Sequence, residues 1–349
     1  MLKLVVVLFT LLAVASATSS KLRVHRTPYH LRAHHKHPWA HDKNDFFFVE
    51  TTASVGTPFQ MLNVELDTVA SDLELVTCPT GTQNGNCFST HQSSTFKRVS
   101  ERLAADTVLS VFQKSVTNVT FNTSLNQSYI AGNVGLGWPD QIKYPGETMQ
   151  PAVWFAGGQS QFAISISPLG TFGEISWGTT EACGENPTTV YLNSTSNQYW
   201  QFAIDRVRLG KVHAPLKSQV VIDTKTEYIG MPKHFLDDFT KEYGIQWDGL
   251  YQAYTIECDK AVGWPDLVFK VAVRELRIRV SQYVYFEHPL PNGKCVVNFE
   301  DSKIYGFGPE WYFGTQIMTD YCVGFDFGRK LMSFTMVECL CVFHIVLRY

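Results

Sequence analysis

The hydrophobic positions of this chain fall into short runs rather than into long helical patterns. Apolar stretches such as Phe46–Val49 and Met61–Leu66 are short, and Ser54, Gly56 and Pro58 lie between them. Runs of about four to eight apolar residues between turn-forming residues are typical of β-strands, whereas an amphipathic helix repeats its apolar positions every three to four residues over a longer segment. The pattern therefore predicts a mostly β protein.

One strand-like pattern occurs twice. Val64–Thr68 is an apolar run that ends in Asp67-Thr68, and Val220–Thr224 ends in the same way in Asp223-Thr224, 156 residues later. Each copy predicts a strand that delivers a carboxylate to a turn. Two carboxylates held about 3 Å apart cannot both ionise, so they share a proton and can act together as acid and base. A third pair, Asp106-Thr107, shows that the dipeptide alone is not specific.

Length and composition fit a two-domain globular protein. The chain has 349 residues, of which 45% are hydrophobic and 17% are charged, and its formal net charge is -3. This length allows two domains of ordinary size or one large bilobed unit. The charge balance gives no sign of nucleic-acid binding.

The first 17 residues predict a secretory signal peptide. Lys3 precedes an apolar run from Leu4 to Val14, and Ala15–Ala17 has the small-x-small form of a cleavage site. A membrane anchor is the alternative, but this run is too short to span a bilayer, and no second run is long enough. Eight cysteines and four Asn-x-Ser/Thr sites also indicate an oxidising compartment. We therefore expect a secreted protein, extracellular or lysosomal, with candidate glycosylation sites at Asn118, Asn122, Asn126 and Asn193.

Residues 18–45 differ in kind from the rest of the chain. They contain six of the eleven histidines and several lysines and arginines. A metal-binding tract is one interpretation, but the spacing matches no zinc pattern, so no metal is predicted. A basic pro-segment is the preferred interpretation, because histidine protonation near pH 6 would change its charge on acidification. A disordered leader without a regulatory role is the remaining alternative.

A series of motifs follows in an order that identifies a family. They are Val55-Gly56-Thr57-Pro58-Phe59-Gln60, the two Asp-Thr strands, Gln92–Phe96, Gly132–Trp138, Gly173–Gly178, Tyr199–Phe202, Trp264–Phe269, Trp311–Gly314 and Val323–Asp326. The chain resembles the pepsin-like aspartic proteases (peptidase A1) through most of its length. The resemblance implies a bilobed acid-protease fold with an N-terminal lobe at 46–200 and a C-terminal lobe at 201–337. The tail at 338–349, with Cys339 and Cys341, stays unassigned.

The resemblance also implies disulfides and partners. It pairs Cys78 with Cys87 and Cys258 with Cys295, and it suggests a third bridge between Cys183 and Cys322. A monomer that takes a peptide or protein substrate in the cleft between its lobes is expected, without a cofactor.

The implied chemistry places Asp67 and Asp223 as the catalytic dyad. In the family one carboxylate takes a proton from a water molecule while the other, protonated, polarises the scissile carbonyl. Thr68 and Thr224 would cross-link the two loops through their hydroxyl groups. Ser71 and Thr226 are further candidates to support the dyad.

Several residues depart from the family pattern at this site. Val69 and Lys225 replace the glycine that follows each Asp-Thr, Ala70 replaces a usual hydroxyl residue, and Glu74 replaces a tryptophan. Valine is poorly suited to a positive φ angle. An ammonium within about 4–6 Å of the dyad would lower its pKa values and remove the shared proton except in stronger acid, unless the Lys225 side chain points into solvent.

The family's closing hairpin, the flap, is also missing. Residues 86–131 contain no glycine, and Tyr129 is their only tyrosine, so no Tyr-Gly-x-Gly tip is present. Lys97–Arg102 occupies the corresponding segment. Without a lid, the exclusion of water and the ordering of the substrate would be weaker.

Two hypotheses follow. The chain is either an acid-acting aspartic endopeptidase with weak or lost activity, or a catalytically inactive relative that binds peptides or glycans in its cleft. An unrelated β-rich structural protein is a third possibility. Serine- and cysteine-protease chemistry finds no Gly-x-Ser-x-Gly motif and no suitable Cys/His setting.

Overall fold

A computed structural model describes most of the two predicted lobes. The described residues are 18–26, 47–79, 86–110, 113–124, 130–138, 160–168, 170–180, 183–184, 188–214, 217–303 and 309–337. The predicted signal peptide, residues 27–45 of the predicted pro-segment, Asn126 and the C-terminal tail lie outside these ranges.

The described residues are mostly strands, as the short apolar runs predict. The strands that precede residue 180 are β1 (Thr18–Arg26), β2 (Phe47–Val55), β3 (Gln60–Asp67), β4 (Leu73–Val76), β5 (Lys97–Arg98), β6 (Leu103–Leu109), β7 (Ser115–Ser124), β8 (Gly132–Gly135), β9 (Gln161–Ile166) and β10 (Phe172–Trp177). Those that follow are β11 (Val190–Asn193), β12 (Gln201–Ile204), β13 (Arg206–Leu209), β14 (Val212–His213), β15 (Ser218–Ile222), β16 (Ile229–Met231), β17 (Gln246–Asp248), β18 (Ala253–Glu257), β19 (Leu267–Val271), β20 (Arg274–Ile278), β21 (Lys294–Val297), β22 (Phe299–Asp301), β23 (Trp311–Phe313), β24 (Tyr321–Asp326) and β25 (Leu331–Met336).

Short helices lie in the second half of the chain. They are α1 (Lys233–Tyr243), α2 (Val280–Tyr283) and α3 (Ile317–Asp320). Helix α1 follows Pro232 and ends at Gly244, which has a left-handed φ of 68°. It buries Phe235, Leu236 and Phe239. Phe239 follows Phe235 by four positions and Leu236 by three, so the three side chains lie on one face of the helix.

One large sheet joins the two halves of the chain. Its order is β11-β25-β24-β9-β10-β1-β2-β3-β8-β4-β7-β6-β5. Strands β24 and β25 come from the end of the chain, yet β24 pairs with β9 from before residue 200. Strand β1, the start of the predicted pro-segment, lies between β10 and β2 in this sheet. The sheet therefore connects the lobes, and the boundary at residue 200 stays a prediction.

The repeated sequence pattern corresponds to a repeated topology. In the first half β2 is antiparallel to β3, β3 is parallel to β8, β8 is antiparallel to β4, and β4 is parallel to β7. In the second half β12, β15, β23, β16 and β22 pair in the same sequence of directions. This duplication places the ends of β3 and β15 at equivalent positions, and together with the family comparison below it supports the bilobed pepsin-like fold.

An aromatic cluster fills the core between the lobes. Trp138 and Trp200 have ring centroids 4.7 Å apart, and Phe162 stacks on Phe325 at 4.5 Å. The indole N–H of Trp200 donates to the carbonyl of Leu136 at 2.8 Å, so a buried polar group is satisfied within the cluster. The cluster fixes the segment that follows β8 against strands of both halves.

Three disulfides are present. Cys78 is bonded to Cys87, Cys183 to Cys322 and Cys258 to Cys295. These are the pairs that the family resemblance implied. No described helix is both long enough and apolar enough to cross a membrane.

One of the predicted glycosylation sites is wrong in this fold. Asn122 is only 2% exposed, and its side-chain amide lies within 3.5 Å of the Asp72 carboxylate, so it has no room for a glycan. Asn118 and Asn193 are exposed, and their modification stays a prediction.

Candidate active site

The two predicted aspartates follow equivalent strands. Asp67 ends β3, where it pairs with Gly135 of the parallel strand β8. Asp223 directly follows β15, and its N–H donates to the carbonyl of Phe313 on the parallel strand β23 at 2.9 Å. Each carboxylate is thus presented at the end of a strand in a duplicated set of strands.

Reciprocal hydrogen bonds join the two Asp-Thr loops. The Thr68 N–H donates to Thr224 Oγ1, and the Thr224 N–H donates to Thr68 Oγ1, both at 3.1 Å. The two hydroxyl groups donate onward across the interface, from Thr68 to the carbonyl of Ile222 at 2.9 Å and from Thr224 to the carbonyl of Leu66 at 2.8 Å. Both threonines are fully buried. This network holds Asp67 and Asp223 in fixed positions on neighbouring loops.

Each aspartate is also oriented by its own loop. Asp67 Oδ1 accepts hydrogen bonds from the N–H groups of Val69 and Ala70, each at 2.8 Å. Asp223 Oδ1 accepts one from the N–H of Lys225 at 2.8 Å. A backbone donor at position 70 therefore serves the carboxylate although the usual hydroxyl is missing. Because both carboxylates are held by backbone groups, these contacts do not depend on which side chains follow the threonines.

Glycines let a second strand pass beneath each loop. A Cβ atom added at Gly135 would lie 2.3 Å from the N atom of Asp72, and one at Gly137 would lie 2.8 Å from the Ala70 carbonyl oxygen. In the second half a Cβ at Gly314 would lie 2.6 Å from the Thr226 carbonyl oxygen. The sequence analysis identified the glycine-containing segment Gly132–Trp138 but missed the role of Gly314. The signal was the position of Gly314 after β23, which matches that of Gly135 at the end of β8.

The concern about backbone strain at the replaced glycines is wrong. Among the described residues, seven non-glycine residues have a left-handed φ, and neither Val69 nor Lys225 is one of them. Both loops therefore accept a side chain after Asp-Thr without strain of this kind.

The Lys225 side chain turns inward rather than into solvent. Its Nζ lies 3.1 Å from Glu65 Oε2 and 3.8 Å from Asp67 Oδ2. Glu65 is 6% exposed, and 27% of the Lys225 side chain is accessible to solvent. Sequence reasoning missed Glu65, although an acidic residue that interrupts the apolar run of β3 was a visible signal.

The pKa of Asp223 is raised, although a nearby lysine was expected to lower the pKa values of the dyad. Burial, together with the charge of Asp67, raises the pKa of Asp223 to about 7, although Lys225 acts in the opposite direction. Burial likewise raises the pKa of Glu65 to about 7 against the attraction of Lys225. Burial alone would lower the pKa of Lys225, but Glu65 and Asp67 outweigh it, so this pKa is raised. The proton on Asp223 is therefore retained up to near-neutral pH instead of being lost.

The hydrogen bonds that the hydroxyl groups of Ser71 and Thr226 donate go to groups other than the two aspartates of the loops. Ser71 Oγ donates to Asp72 Oδ1 at 3.2 Å, and Thr226 Oγ1 donates to the carbonyl of Tyr228 at 3.3 Å. Direct support of the dyad by these two residues stays a prediction.

The third Asp-Thr pair, Asp106-Thr107, lies outside the two loops that the threonines join. Asp106 is buried, and its Oδ1 accepts hydrogen bonds from the hydroxyls of Ser93 and Thr95 and from the N–H of Thr107. It lies on strand β6 and accepts hydrogen bonds from Ser93 and Thr95, so it is not part of the Asp67 and Asp223 loops.

A very short hairpin stands where the family carries its flap. Strand β5 pairs with Ala104 and Ala105, and the N–H groups of Val99 and Ser100 both donate to the carbonyl of Leu103. Arg98 Nη1 donates to Thr123 Oγ1 at 2.7 Å on the same half of the chain. The missing lid predicted from the sequence thus corresponds to a tight turn.

Comparison with known proteins agrees with this architecture. The family described as eukaryotic aspartyl protease matches residues 50–337. The chain is similar to aspartic protease 1 of Caenorhabditis elegans, with 26% identity over 83% of this chain and 82% of that protein. It is also similar to dog pepsin B, with 25% identity over 86% and 83% of the two chains, and to mouse gastricsin, with 26% identity over 79% and 78%. With the duplicated strands and the paired Asp-Thr loops, this match shows that the chain belongs to the eukaryotic aspartyl protease family.

Proposed function

We propose that this protein is an aspartic endopeptidase that hydrolyses peptide bonds with water activated by Asp67 and Asp223. The observation that carries this proposal is the reciprocal cross-link of Thr68 and Thr224, because it fixes the two carboxylates on adjoining loops. A dyad held in this way is pre-organised for acid–base work on a water molecule and a scissile carbonyl.

The two carboxylates have different roles in this mechanism. Asp67, ionised, takes a proton from the attacking water as general base. Asp223 has a pKa of about 7, so it is protonated in acid and donates a hydrogen bond to the carbonyl oxygen of the substrate. Peptide hydrolysis by this dyad would therefore extend from acid pH to just below neutral pH.

We expect the activity to be weak. The short hairpin of residues 97–105 cannot supply the tyrosine of a flap, so the site would exclude water poorly and order the substrate poorly. Lys225 also places a cation 3.8 Å from Asp67 Oδ2, where the family pattern has a glycine without a side chain. The same two observations favour the second candidate function, an inactive relative that binds peptides or glycans in the cleft.

Location, processing and assembly are part of the proposal. The signal-like residues 1–17 and the disulfides support secretion into an extracellular or lysosomal compartment. The basic residues 18–45 would act as a pro-segment. Strand β1 supports this role because its Arg23 and His25 contact Glu50 of the neighbouring strand. A monomer that takes a peptide or protein substrate is proposed.

A proteolysis assay tests the proposal. Purified, acid-treated protein is incubated with denatured globin at pH 3–4 and at pH 6, with and without a statine-type inhibitor. Inhibitor-sensitive cleavage that Asp67→Asn and Asp223→Asn both abolish is the expected result. Binding of the inhibitor without any cleavage by the wild-type protein would instead establish the inactive relative.

A second pair of variants tests whether the replaced glycine at position 69 or the missing lid limits the rate. Val69→Gly should leave the rate within about twofold, because Val69 is not strained and its N–H still reaches Asp67. A longer, tyrosine-bearing hairpin inserted after Val99 should raise the rate. A rise with Val69→Gly and none with the hairpin would show that the loops, not the missing lid, limit the reaction.

A further inference from the structure

Two charged residues beside the dyad come from different halves of the chain. Glu65 lies two positions before Asp67 on β3, and Lys225 lies two positions after Asp223 in the second loop. Their side chains meet at 3.1 Å although 160 positions separate them in the sequence. An unpaired ionised carboxylate would be unfavourable at the buried Glu65 position, and Lys225 supplies the opposite charge there.

The ammonium group contacts the two halves of the dyad unequally. Lys225 Nζ lies 3.8 Å from Asp67 Oδ2. The described contact between Lys225 and the Asp223 side chain is instead made by its backbone N–H. A cation 3.8 Å from one carboxylate stabilises the ionised form of that carboxylate. The charge distribution of the dyad is therefore asymmetric even though the backbone around it is duplicated.

We propose that Glu65 and Lys225 are positioning residues of the dyad: the ammonium keeps the negative charge on Asp67 and leaves the proton on Asp223, and Glu65 holds the ammonium in place. This inference rests on the proposed function only in treating Asp67 and Asp223 as one dyad. The charged and titratable groups that face the ammonium are Glu65 and Asp67 of β3 and Asp223 of the second loop. Asn133 of β8 adds a neutral amide 3.5 Å from Asp67 Oδ2.

We expect the contacts of the Lys225 ammonium with Glu65 and Asp67 to persist at acid pH. Glu65 has a pKa of about 7, so it is neutral at lower pH, where its carbonyl oxygen still accepts a hydrogen bond from the ammonium. Protonation of Glu65 leaves Asp67 as the anion that the ammonium faces. Asp223, with a pKa of about 7, carries its proton over the same range.

The test compares two isosteric substitutions in the full chain and requires no turnover. Asp67→Asn and Asp223→Asn each keep an Oδ1 acceptor for the loop N–H groups. Under the proposal they differ at pH 5.5 because Asp67→Asn removes a negative charge, whereas Asp223→Asn replaces a neutral carboxyl group. At pH 5.5 we expect Asp223→Asn to unfold within about 2 °C of the wild type and Asp67→Asn to unfold about 5 °C or more below it. Equal shifts for the two variants would overturn the proposal.

The same pair is then measured without the cation. In a Lys225→Met background the two Asn substitutions should shift the unfolding temperature equally, whereas a Lys225→Arg background should preserve the difference. Lys233→Met, on exposed helix α1, is the matched control and should also preserve it. If Lys225→Met does not fold, the double variant Glu65→Leu/Lys225→Met removes both charges together. A difference that survives the loss of Lys225 would contradict the proposal.

The pH profile of globin cleavage separates this inference from the proposed function. Lys225→Met should move the acid limb of the profile upward by about one pH unit, because the negative charge of the dyad would lose the cation that lies 3.8 Å from it. An unmoved acid limb would refute the inference while leaving the peptidase intact. No cleavage by any variant, with the asymmetry of the Asn substitutions present, would refute the peptidase and support the charge assignment.

Discussion

Two carboxyl groups, those of Glu65 and Asp223, make the stability of this protein depend on pH in an unusual direction. The pKa of Glu65 is raised from 4.5 to about 7, and that of Asp223 is raised from 3.8 to about 7, in both cases mainly by burial. A group whose pKa is higher in the folded than in the unfolded state binds its proton more tightly when folded. The stability that each group contributes is therefore complete below about pH 4 and is lost as the pH rises through 7.

The expected magnitude follows from the two shifts. One pKa unit corresponds to about 1.4 kcal/mol, so each carboxyl group accounts for about 3–4 kcal/mol between pH 4 and pH 8 if it titrates alone. The two groups share Lys225 as a neighbour, so their contributions are not additive. We expect the free energy of unfolding to fall by about 4 kcal/mol over this range because of the pair.

The assay is urea unfolding of the full chain at pH 4.5, 6 and 8, with Glu65→Gln and Asp223→Asn as neutral isosteres. The wild type should lose stability between pH 4.5 and 8, and each variant should lose about 2–3 kcal/mol less over the same interval. Glu275→Gln, at an exposed ion pair with Arg277, is the control and should follow the wild type. A wild type that becomes more stable from pH 6 to 8, with the variants parallel to it, would refute the reasoning.

Three further predictions concern the structure that carries the site. Thr68→Val removes a buried hydroxyl that donates to Ile222 and accepts from Thr224, so it should destabilise the protein by about 2–4 kcal/mol in urea unfolding, while Thr68→Ser should stay within about 1 kcal/mol; equal losses would contradict the cross-link. Gly135→Ala would place a Cβ 2.3 Å from a backbone nitrogen and should lower the unfolding temperature by more than about 5 °C, whereas Gly249→Ala, with open space around it, should not. A tolerated Gly135→Ala would show that the strand does not pass close beneath the loop. Removing the Cys183–Cys322 bridge, which spans 139 residues, should destabilise the protein by about 5 kcal/mol, and removing the nine-residue bridge of the first half by about half as much; the reverse order would contradict a chain-entropy origin.

The sequence predicts the parts of this site that depend on local patterns and on family motifs. Short apolar runs identify the strand class, and the repeated Asp-Thr pattern identifies the two loops that the threonines join. These features are readable because each is confined to a few consecutive residues, with periodicity and turn chemistry that physical rules describe.

The features that sequence reasoning missed depend on contacts between distant residues. The direction of Lys225 was open because its partner Glu65 lies 160 positions away and looked like an exception within an apolar strand. Burial of Asn122 was not foreseen because an Asn-x-Ser/Thr motif carries no information on which face of a strand an asparagine occupies. Both outcomes are set by which strands become neighbours in the folded sheet.

The two halves of the chain have a similar backbone around the site but different charged side chains. The strand pairing around Asp67 repeats around Asp223, and the threonine hydrogen bonds are reciprocal at 3.1 Å. The backbone therefore treats the two carboxylates almost alike, and symmetry alone would give them similar affinities for the shared proton. Glu65 and Lys225 remove that equivalence, because the Lys225 ammonium lies 3.8 Å from Asp67 Oδ2 and contacts Glu65 at 3.1 Å. In this protein the fold brings two acids together, and a pair of side chains from opposite halves decides which of them holds the charge.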